Sequence, residues 1–433
     1  MFQTLRNAWK IADLRKKLLY TLMIIAIFRI GAAIPVPFLN PEAISAMIHT
    51  SGNLLGYLDI LSGGSFAQCT LFALSISPHI TSSIVIQLLT VAIPALERLA
   101  KEGEEGRKRL EKITRYTMVA LALLQATAYY LMLKNFNAVQ FVDGGVGMFT
   151  AAVIILTFTG GSCLLVWLGE QIDKKGIGNG ISMILFAGIV SRASSMVNTV
   201  ITELYLAING IMKYWFIVPF TLVLFLAAIV FIVIMTNAER RIPVQYAQRV
   251  VGRKMYGGQS THIPIKVNMS GVLPIIFAQS IASLPVTIWT FIGIPEEETV
   301  SRAIYDAIDT QSFIYMIVYF IMIIGFSYFY STIQFNPVEI ANNLKKQGGF
   351  IPGFRPGKPT VDFIKKVLSK ITLFGAIYLG IVAICPLLLG KAVGNAYLAI
   401  GGTSVIIVVG VALETVKALE AQMLMRQYKG FLE

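Results

Sequence analysis

Residues 60–96 read ILSGGSFAQCTLFALSISPHITSSIVIQLLTVAIPAL, 37 positions without a charge beyond whatever His79 takes up. As one α-helix the stretch would be about 55 Å long at ~1.5 Å per residue, whereas a bilayer's hydrocarbon core is about 30 Å thick. One straight span cannot hold it. The break is predicted between Gly63-Gly64 and Pro78, because glycine loosens a helix and proline removes a backbone donor and crowds the preceding turn. The pattern therefore predicts a short helix of small residues at about 63–72, followed by a spanning helix at about 75–94. A broken apolar element at membrane depth is tolerated only where it faces protein or a water-filled cavity. A pathway through the molecule is the implied setting.

The rest of the chain is apolar on the same scale. With 433 residues and 56% hydrophobic content it falls outside the range of soluble globular proteins. Uncharged runs recur at 116–133, 144–169, 214–236, 267–295, 310–338, 371–390 and 392–413, most of them long enough to span. Adding the segment before Pro35, the 75–94 helix and a more polar one at about 180–200 gives an all-α membrane protein with ten transmembrane helices. The apolar run after the basic start is a full span without an A-x-A site, so no cleavable signal is expected. Cys69, Cys163 and Cys385 stand far apart in apolar segments and offer neither a disulfide framework nor a metal pattern; small core residues are the expectation.

Orientation follows from the cations. With the N-terminus inside, all 36 lysines and arginines fall on the cytoplasmic face except Arg29, Lys134, Arg192, Lys213, Arg302 and Lys391. Arg29 sits within the first span, where snorkelling or pairing near the outer interface is expected. That asymmetry places both termini inside. The net charge of +13 is thus concentrated on one face. Arg6, Lys10, Arg15, Lys16 and Lys17 alternate with Leu5, Trp9, Ile11 and Leu14, the pattern of an amphipathic helix on the inner surface.

Within the spans the polarity is Ser, Thr, Asn and Gln. Gln125 lies in mid-membrane in the third span, and the step Thr159-Gly160-Gly161-Ser162 in the fourth suits close helix packing. GIGNG at 176–180 lacks the Lys-Ser/Thr ending and preceding strand of a phosphate loop and reads as a tight turn into the fifth span. The sixth span, 215–236, is the most uniformly apolar and is expected to face lipid most. The seventh spreads Asn268, Gln279, Ser280 and Ser283 among Pro274 and Pro285. Hydrogen bonds of this kind contribute about 0.6–2 kcal/mol each, which suits an interface that opens as well as one that stays shut.

Two cytoplasmic loops, 237–267 and 336–370, exceed what topology requires. Both mix cations with Gly, Pro and aromatics, so shaped protrusions are expected. Arg240, Arg241, Arg249, Arg253, Lys254 and Arg355 suit docking to an acidic partner, protein or RNA, with anionic lipid headgroups as the alternative. Arg355, between Pro352-Gly353 and Pro356-Gly357, is the one least explained by topology.

FALSISPHITSSIVIQLL, WLGEQIDKKGIGNGIS, STHIPIKVNMSGVLPIIFA, FNPVEIANNLKKQGGFIPGFRPG and GGTSVIIVV closely resemble the SecY family, the central subunits of protein-translocation channels. The resemblance runs from the first span to the last. It implies two inversely related five-helix halves, 1–210 and 211–433, around an hourglass pore, with a short plug half-helix at about 60–74. It also implies SecE and SecG as partners, the SecA ATPase and the ribosome as docking motors, and signal peptides and translocating polypeptide chains as cargo.

Carried over residue by residue, the pore ring falls on Ile76, Ile80, Ile181, Leu185, Ile276 and Ile407, with leucine at a position that is usually isoleucine-like. Two of these pairs have i, i+4 spacing and so share a helix face, although aliphatics so spaced are ordinarily just packing. A ring of branched aliphatics can exclude water by dewetting yet yield to a passing chain. The plug maps to Gly63, Gly64, Ser65, Phe66, Ala67 and Cys69, small residues suited to leaving a cavity without a large burial cost. The lateral gate maps to Thr81, Gln87, Gln125, Asn268, Gln279 and Ser280, and the motor-binding cations to the six loop residues above.

The competing class is a secondary transporter, which also uses inverted repeats and broken helices. It ordinarily needs an ionisable cluster in the membrane, and these spans are nearly free of Asp, Glu and Lys. An enzyme is not expected: His49, His79 and His262 lie in different compartments, and HExxH and GxSxG are both lacking. Neither cofactor nor metal is implied.

Overall fold

The computed structural model describes residues 2–40, 59, 62–135, 137–141, 144–209, 212–246, 249–251, 254–256, 260–269, 271–292, 300–309, 312–393 and 396–429. The chain is mostly helical and packs as two compact units. One comprises Met1–Leu222, Ser283–Tyr315 and Pro386–Glu433, the other Val223–Ala282 and Met316–Cys385.

In the first unit, α1 (Phe2–Lys10) and α2 (Ala12–Gly31) precede a segment of consecutive turns at 62–76. Then come α3 (Ser77–Ala92), α4 (Pro94–Lys101), α5 (Glu104–Asn135), α6 (Gly144–Lys175), α7 (Gly180–Ser191), α8 (Ala193–Ile208) and the start of α9 (Met212–Asn237). Proline sets two boundaries as its missing N–H requires. Pro78 and Pro94 stand in the first turns of α3 and α4, and these helices meet at 102° around Ile93. The amphipathic α1 docks on the far end of the chain, α16 (Ala396–Lys429). Thr4 donates to Glu420 Oε1 (3.1 Å), and Ala8 and Leu14 share a small core with Ile177 and Leu419.

The helices of this unit are joined by short polar links at their ends. Ser82 Oγ on α3 donates to the Thr114 carbonyl of α5 at 2.6 Å, and Arg115 on α5 meets Glu170 on α6 at 2.6 Å. The GIGNG turn brings α6 and α7 so close that a Cβ on Gly180 would stand 1.9 Å from the Gly169 carbonyl oxygen. Asn179 caps α7 by accepting from Ser182 N–H, and Asp173 accepts from Gly180 N–H at 2.7 Å. The turn is structural, as its letters indicate.

The second unit contains the rest of α9 and α10 (Leu273–Ala282). It also takes most of α13 (Phe313–Gln334), α14 (Pro337–Lys346) and most of α15 (Lys358–Val393); α11 (Leu284–Ile292) and α12 (Val300–Ile308) belong to the first. Five strands lie here: β1 (Glu239–Tyr246), β2 (Arg249–Val251), β3 (Lys254–Tyr256), β4 (Ser260–Lys266) and β5 (Gly349–Phe350). β1 pairs antiparallel with β4 and with β5, while β2 and β3 form a separate hairpin. The two long loops, 237–267 and 336–370, are therefore joined through one sheet. Ile242 and Val244 on β1 and Ile265 on β4 face a core shared with Leu344, Ile351 and Leu368, the period-2 burial of a half-buried sheet.

Among the described residues, five helices are long and apolar enough to cross a bilayer, or six with the bent pair α3–α4 taken as one broken span. The predicted fifth and seventh spans are interrupted, at Arg192 and at Ser283, which divides each into two shorter helices. In α9 only 11% of the most apolar window is buried, against 33–44% in the other long apolar helices, so the sixth predicted span is the most exposed, as expected for a lipid-facing helix. Several long apolar helices make this a multi-pass membrane protein.

Candidate functional site

The segment at 62–76 is where expectation and structure differ most. It is not a short helix. Gly63 and Gly64 take φ of +66° and +91°, and Cys69 and Ser75 also enter the left-handed region, which no α-helix admits. Side chains compete with the helical pattern as well. Ser62 Oγ accepts from Phe66 N–H at 3.0 Å, Thr70 Oγ1 donates to the Ser65 carbonyl at 3.3 Å, and Asp59 Oδ1 accepts from Ala67 N–H at 2.8 Å. A short backbone pairing with the chain leaving α2 completes the element: Val36 N–H donates to the Cys69 carbonyl and Leu71 N–H to the Ile34 carbonyl.

The segment is seated among α2, α5, α6 and α7. Phe66 is 4% exposed and stacks at 4.7 Å on Tyr129 of α5, whose hydroxyl donates to the Phe66 carbonyl at 3.1 Å. Phe72 stacks on Phe28 of α2 at 5.8 Å. Close approach relies on glycine: a Cβ on Gly161 of α6 would stand 1.9 Å from the Leu71 carbonyl oxygen, and one on Gly63 would stand 2.9 Å from Gly188 Cα. Gly161 of the small-residue step thus receives this segment, while Gly160 faces away from it and is exposed. Gly63, Gly64, Ser65, Phe66 and Cys69 are buried and Ala67 is half-buried. Withdrawing such an element carries a larger burial cost than its small residues implied, because Phe66 and Phe72 would each forfeit about 1.5–3 kcal/mol of transfer free energy.

Polar groups that the sequence reading did not assign to the segment fix its outer edge. Arg192, between α7 and α8, pairs with Asp59. Arg29, near the end of α2, donates to the Gly63 carbonyl at 3.3 Å and to Ser191 Oγ at 2.9 Å. The signal was present in the letters: Asp59 is the acid just ahead of the uncharged run, and Arg192 is an isolated cation in an otherwise uncharged stretch from Gly176 to Thr202.

The six aliphatics of the expected ring divide between the units. Ile76, fully buried, is the residue ahead of α3, and Ile80 lies one turn on, its N–H bonded to the Ile76 carbonyl at 3.1 Å. Ile181 and Leu185 lie on α7 and Ile407 on α16, helices joined where Thr415 Oγ1 meets Met183 Sδ at 3.4 Å. Ile276 belongs to the second unit, on α10, half-exposed between buried Ile275 and Phe277.

The polar gate residues likewise fall in both units. In the first, Thr81 donates to its own helix at the Ser77 carbonyl, 3.0 Å away, while Gln87 on α3 and Gln125 on α5 are half-buried. In the second, Gln279 accepts from Tyr319 OH at 3.1 Å and Ser280 donates to the Ile276 carbonyl at 2.8 Å. Asn268 lines a water-sized cavity with Ser327, Thr372 and Gly375.

Of the predicted docking cations, Arg240 and Arg241 are exposed at the start of β1, where Arg241 pairs with Glu239 at 2.7 Å. Arg249 and Lys254 belong to the β2–β3 hairpin, and Arg253 lies outside the described residues. Arg355 is exposed on a tight loop between Gly353 (φ +86°) and Gly357 (φ +111°). Its carbonyl accepts from buried Thr360 at 2.8 Å, and Phe354 packs against Phe363 with ring centroids 4.2 Å apart and the planes tilted by 32°. The loop presents one exposed cation. Among the described residues, no group of three or more His, Cys, Asp or Glu side chains could hold a metal ion.

Comparison with known proteins agrees with these observations. The SecY family model matches residues 70–416. The chain is 40% identical over 453 residues to the protein translocase subunit SecY of Mycobacterium tuberculosis (strain ATCC 25618 / H37Rv), and 42% identical over 445 residues to that of Streptomyces scabiei, covering 100% of both chains in each case. Among solved structures, one describes the plug domain of the SecY protein as stabilizing the closed state of the translocation channel and maintaining a membrane seal. It matches with TM-score 0.62 and 20% identity over 94% of this chain and 92% of that one. Sec61 in the canine ribosome-channel complex from the endoplasmic reticulum matches with TM-score 0.60 and 18% identity, over 94% and 92%. At these identities the structures speak to the fold alone, and the full-length sequence relatives carry the kinship: the chain belongs to the SecY family.

Proposed function

We propose that this chain is a protein-conducting channel of the cytoplasmic membrane, passing unfolded secretory polypeptides across and releasing apolar segments sideways into lipid. The observation that carries this reading is kinship along the whole chain with proteins named translocase subunit SecY. The geometry supports it at one place above all: an apolar, non-helical segment at 62–76, seated among helices where a continuous span would otherwise run.

On this reading the halves 1–210 and 211–433 are inversely related, with ten spans and both termini cytoplasmic. The segment at 62–76 is the resting channel's stopper, and Ile76, Ile80, Ile181, Leu185, Ile276 and Ile407 line its waist. Thr81, Gln87, Gln125, Asn268, Gln279 and Ser280 belong to the sideways exit. The cations of the cytoplasmic protrusion, Arg355 foremost, receive the SecA ATPase or the ribosome, and SecE and SecG complete the assembly. The motor supplies the energy; this chain supplies the path.

Magnitudes favour a signal sequence as the opener. Unseating Phe66 and Phe72 forfeits about 3–6 kcal/mol in all, equivalent to about four to eight methylene groups at ~0.8 kcal/mol each. The roughly 7–15-residue apolar region of a signal peptide exceeds that several-fold when it enters between apolar helices. A transporter of small solutes is the weaker reading, since its full-length relatives are named translocase subunits.

The test is transport by the purified chain with its accessory subunits and motor in proteoliposomes. Protease-protected precursor should accumulate with ATP and vanish when the signal is deleted. Protection no greater than in motor-free vesicles, alongside saturable uptake of a small solute, would overturn the proposal.

A further inference from the structure

The segment at 62–76 is held by packing along its length, but its outer edge is held by charge. Asp59 is the hub. Its backbone carbonyl accepts from Gly64 N–H at 2.8 Å and from Ser62 Oγ at 2.9 Å, its Oδ1 accepts from Ala67 N–H at 2.8 Å, and its Oδ2 pairs with Arg192. The Asp59 side chain is 7% exposed and that of Arg192 28%. A second arginine reaches the same edge from the other side: Arg29 bonds the Gly63 carbonyl and Ser191 Oγ, and Ser191 donates in turn to the Gly188 carbonyl at 2.6 Å. Gly63 and Gly64 let these cations approach. A Cβ on Gly64 would stand 3.2 Å from Arg192 Nε, and both glycines need positive φ.

This arrangement differs from an ordinary surface pair. The carboxylate that shapes the turn is the same one that ties it to the α7–α8 junction. Arg192 interrupts the helical run there, standing as the last cap of α7 and the first of α8. A change at that junction therefore acts on the turn through the Arg192–Asp59 pair and, more weakly, through Ser191 Oγ, which donates to the Gly63 carbonyl at 3.4 Å. Taking Arg192 away leaves a nearly buried carboxylate without its charge partner, the costly way to break an ion pair.

We propose that Asp59 and Arg192, seconded by Arg29, form a latch that keeps the 62–76 segment seated, and that separating Arg192 from Asp59 releases it. These are positioning residues, acting on the stopper rather than on the cargo. The inference rests on the proposed channel reading for its consequence, but not for its test.

Cys69 supplies the readout. It is fully buried in the seated segment, whereas Cys163 and Cys385 are half-buried elsewhere, so a C163S/C385S background leaves Cys69 as the only thiol. In the purified complex in proteoliposomes, a water-soluble maleimide should label Cys69 at least roughly tenfold faster in Arg192→Gln and in Asp59→Asn, the population shift expected when one partner of a buried pair is lost. Arg192→Lys, which keeps the charge, should stay near the parent rate. Labelling of folded Arg192→Gln within twofold of the parent overturns the latch; should Asp59→Asn not assemble, Arg192→Gln alone decides. Ion conductance of the same variants separates the two readings. Faster labelling with a rise in resting conductance supports both, and faster labelling at unchanged conductance keeps the latch while removing the stopper role.

Discussion

Truncating Phe66 to alanine isolates how much the seated segment is worth. The ring is 4% exposed, packs on Tyr129 at 4.7 Å, and through Tyr129 joins Phe158 at 5.1 Å. Phe66→Ala leaves the backbone bonds intact, namely Phe66 N–H to Ser62 Oγ and Tyr129 OH to the Phe66 carbonyl. What is lost is about 2 kcal/mol of transfer free energy and about 0.5–1.5 kcal/mol of aromatic pairing. An unseated segment already exposes this ring to water, so the loss falls on the seated state alone. A shift of about 2.5–3.5 kcal/mol corresponds to a roughly 60- to 300-fold rise in the unseated population. Open probability of single complexes in planar bilayers reads this directly. Tyr129→Phe is the internal control: it removes the hydroxyl's bond to the Phe66 carbonyl and its weak 3.8 Å contact with Cys69 Sγ, together worth about 1–1.4 kcal/mol, so about a five- to tenfold rise. Open probability within threefold of the parent for Phe66→Ala, or a larger effect from Tyr129→Phe, would refute the reasoning.

Three further outcomes are expected. Gly161→Ala brings a methyl group to 1.9 Å from the Leu71 carbonyl oxygen, which is backbone and cannot step aside. The complex should assemble with lowered thermal stability and a leaky resting state; unchanged melting and conductance would mean α6 does not receive the segment. Arg355→Glu should abolish motor-driven transport while subunits still co-purify, because the change reverses the loop's one exposed cation without touching its packing; normal transport in proteoliposomes removes its docking role. Serine at Ile76, Ile181 and Ile276 together should let ions through the resting channel, by wetting a neck that aliphatics keep dry, and an ion-tight triple variant would count against the ring.

The place of the break was legible in the sequence; its conformation was not. Gly63-Gly64 and Pro78 bracket the non-helical residues 62–76 and Pro78 enters the first turn of α3. Yet the stretch expected to be a short helix gave turns, because Asp59, Ser62 and Thr70 satisfy the local backbone with side chains and Cys69 and Ser75 adopt positive φ. Such choices are set by the surrounding helices, which a local pattern does not contain. The three-stranded sheet was missed for a different reason. Ile242, Val244, Ile263 and Ile265 alternate as strand residues do, but β5 arrives from a loop some hundred residues later. The exposure of α9, by contrast, was readable from composition alone: its most apolar window is only 11% buried, with Phe231 against Tyr378 among its few packing contacts. Arg29 was read as a charge snorkelling or pairing at the outer interface; its hydrogen bonds to Gly63 and Ser191 give it a partner in the 62–76 segment.

The most direct test of the account follows the path of the polypeptide itself. A photo-crosslinking residue placed singly at Ile76, Ile181 or Ile407, with Leu226 on the lipid-exposed α9 as control, is irradiated while a precursor is arrested in mid-transport. The account predicts adducts to the arrested chain from the three isoleucine positions, dependent on motor and signal sequence, and none from Leu226. Adducts only from Leu226, or none from any of the three, would contradict the claim that polypeptides travel through this chain.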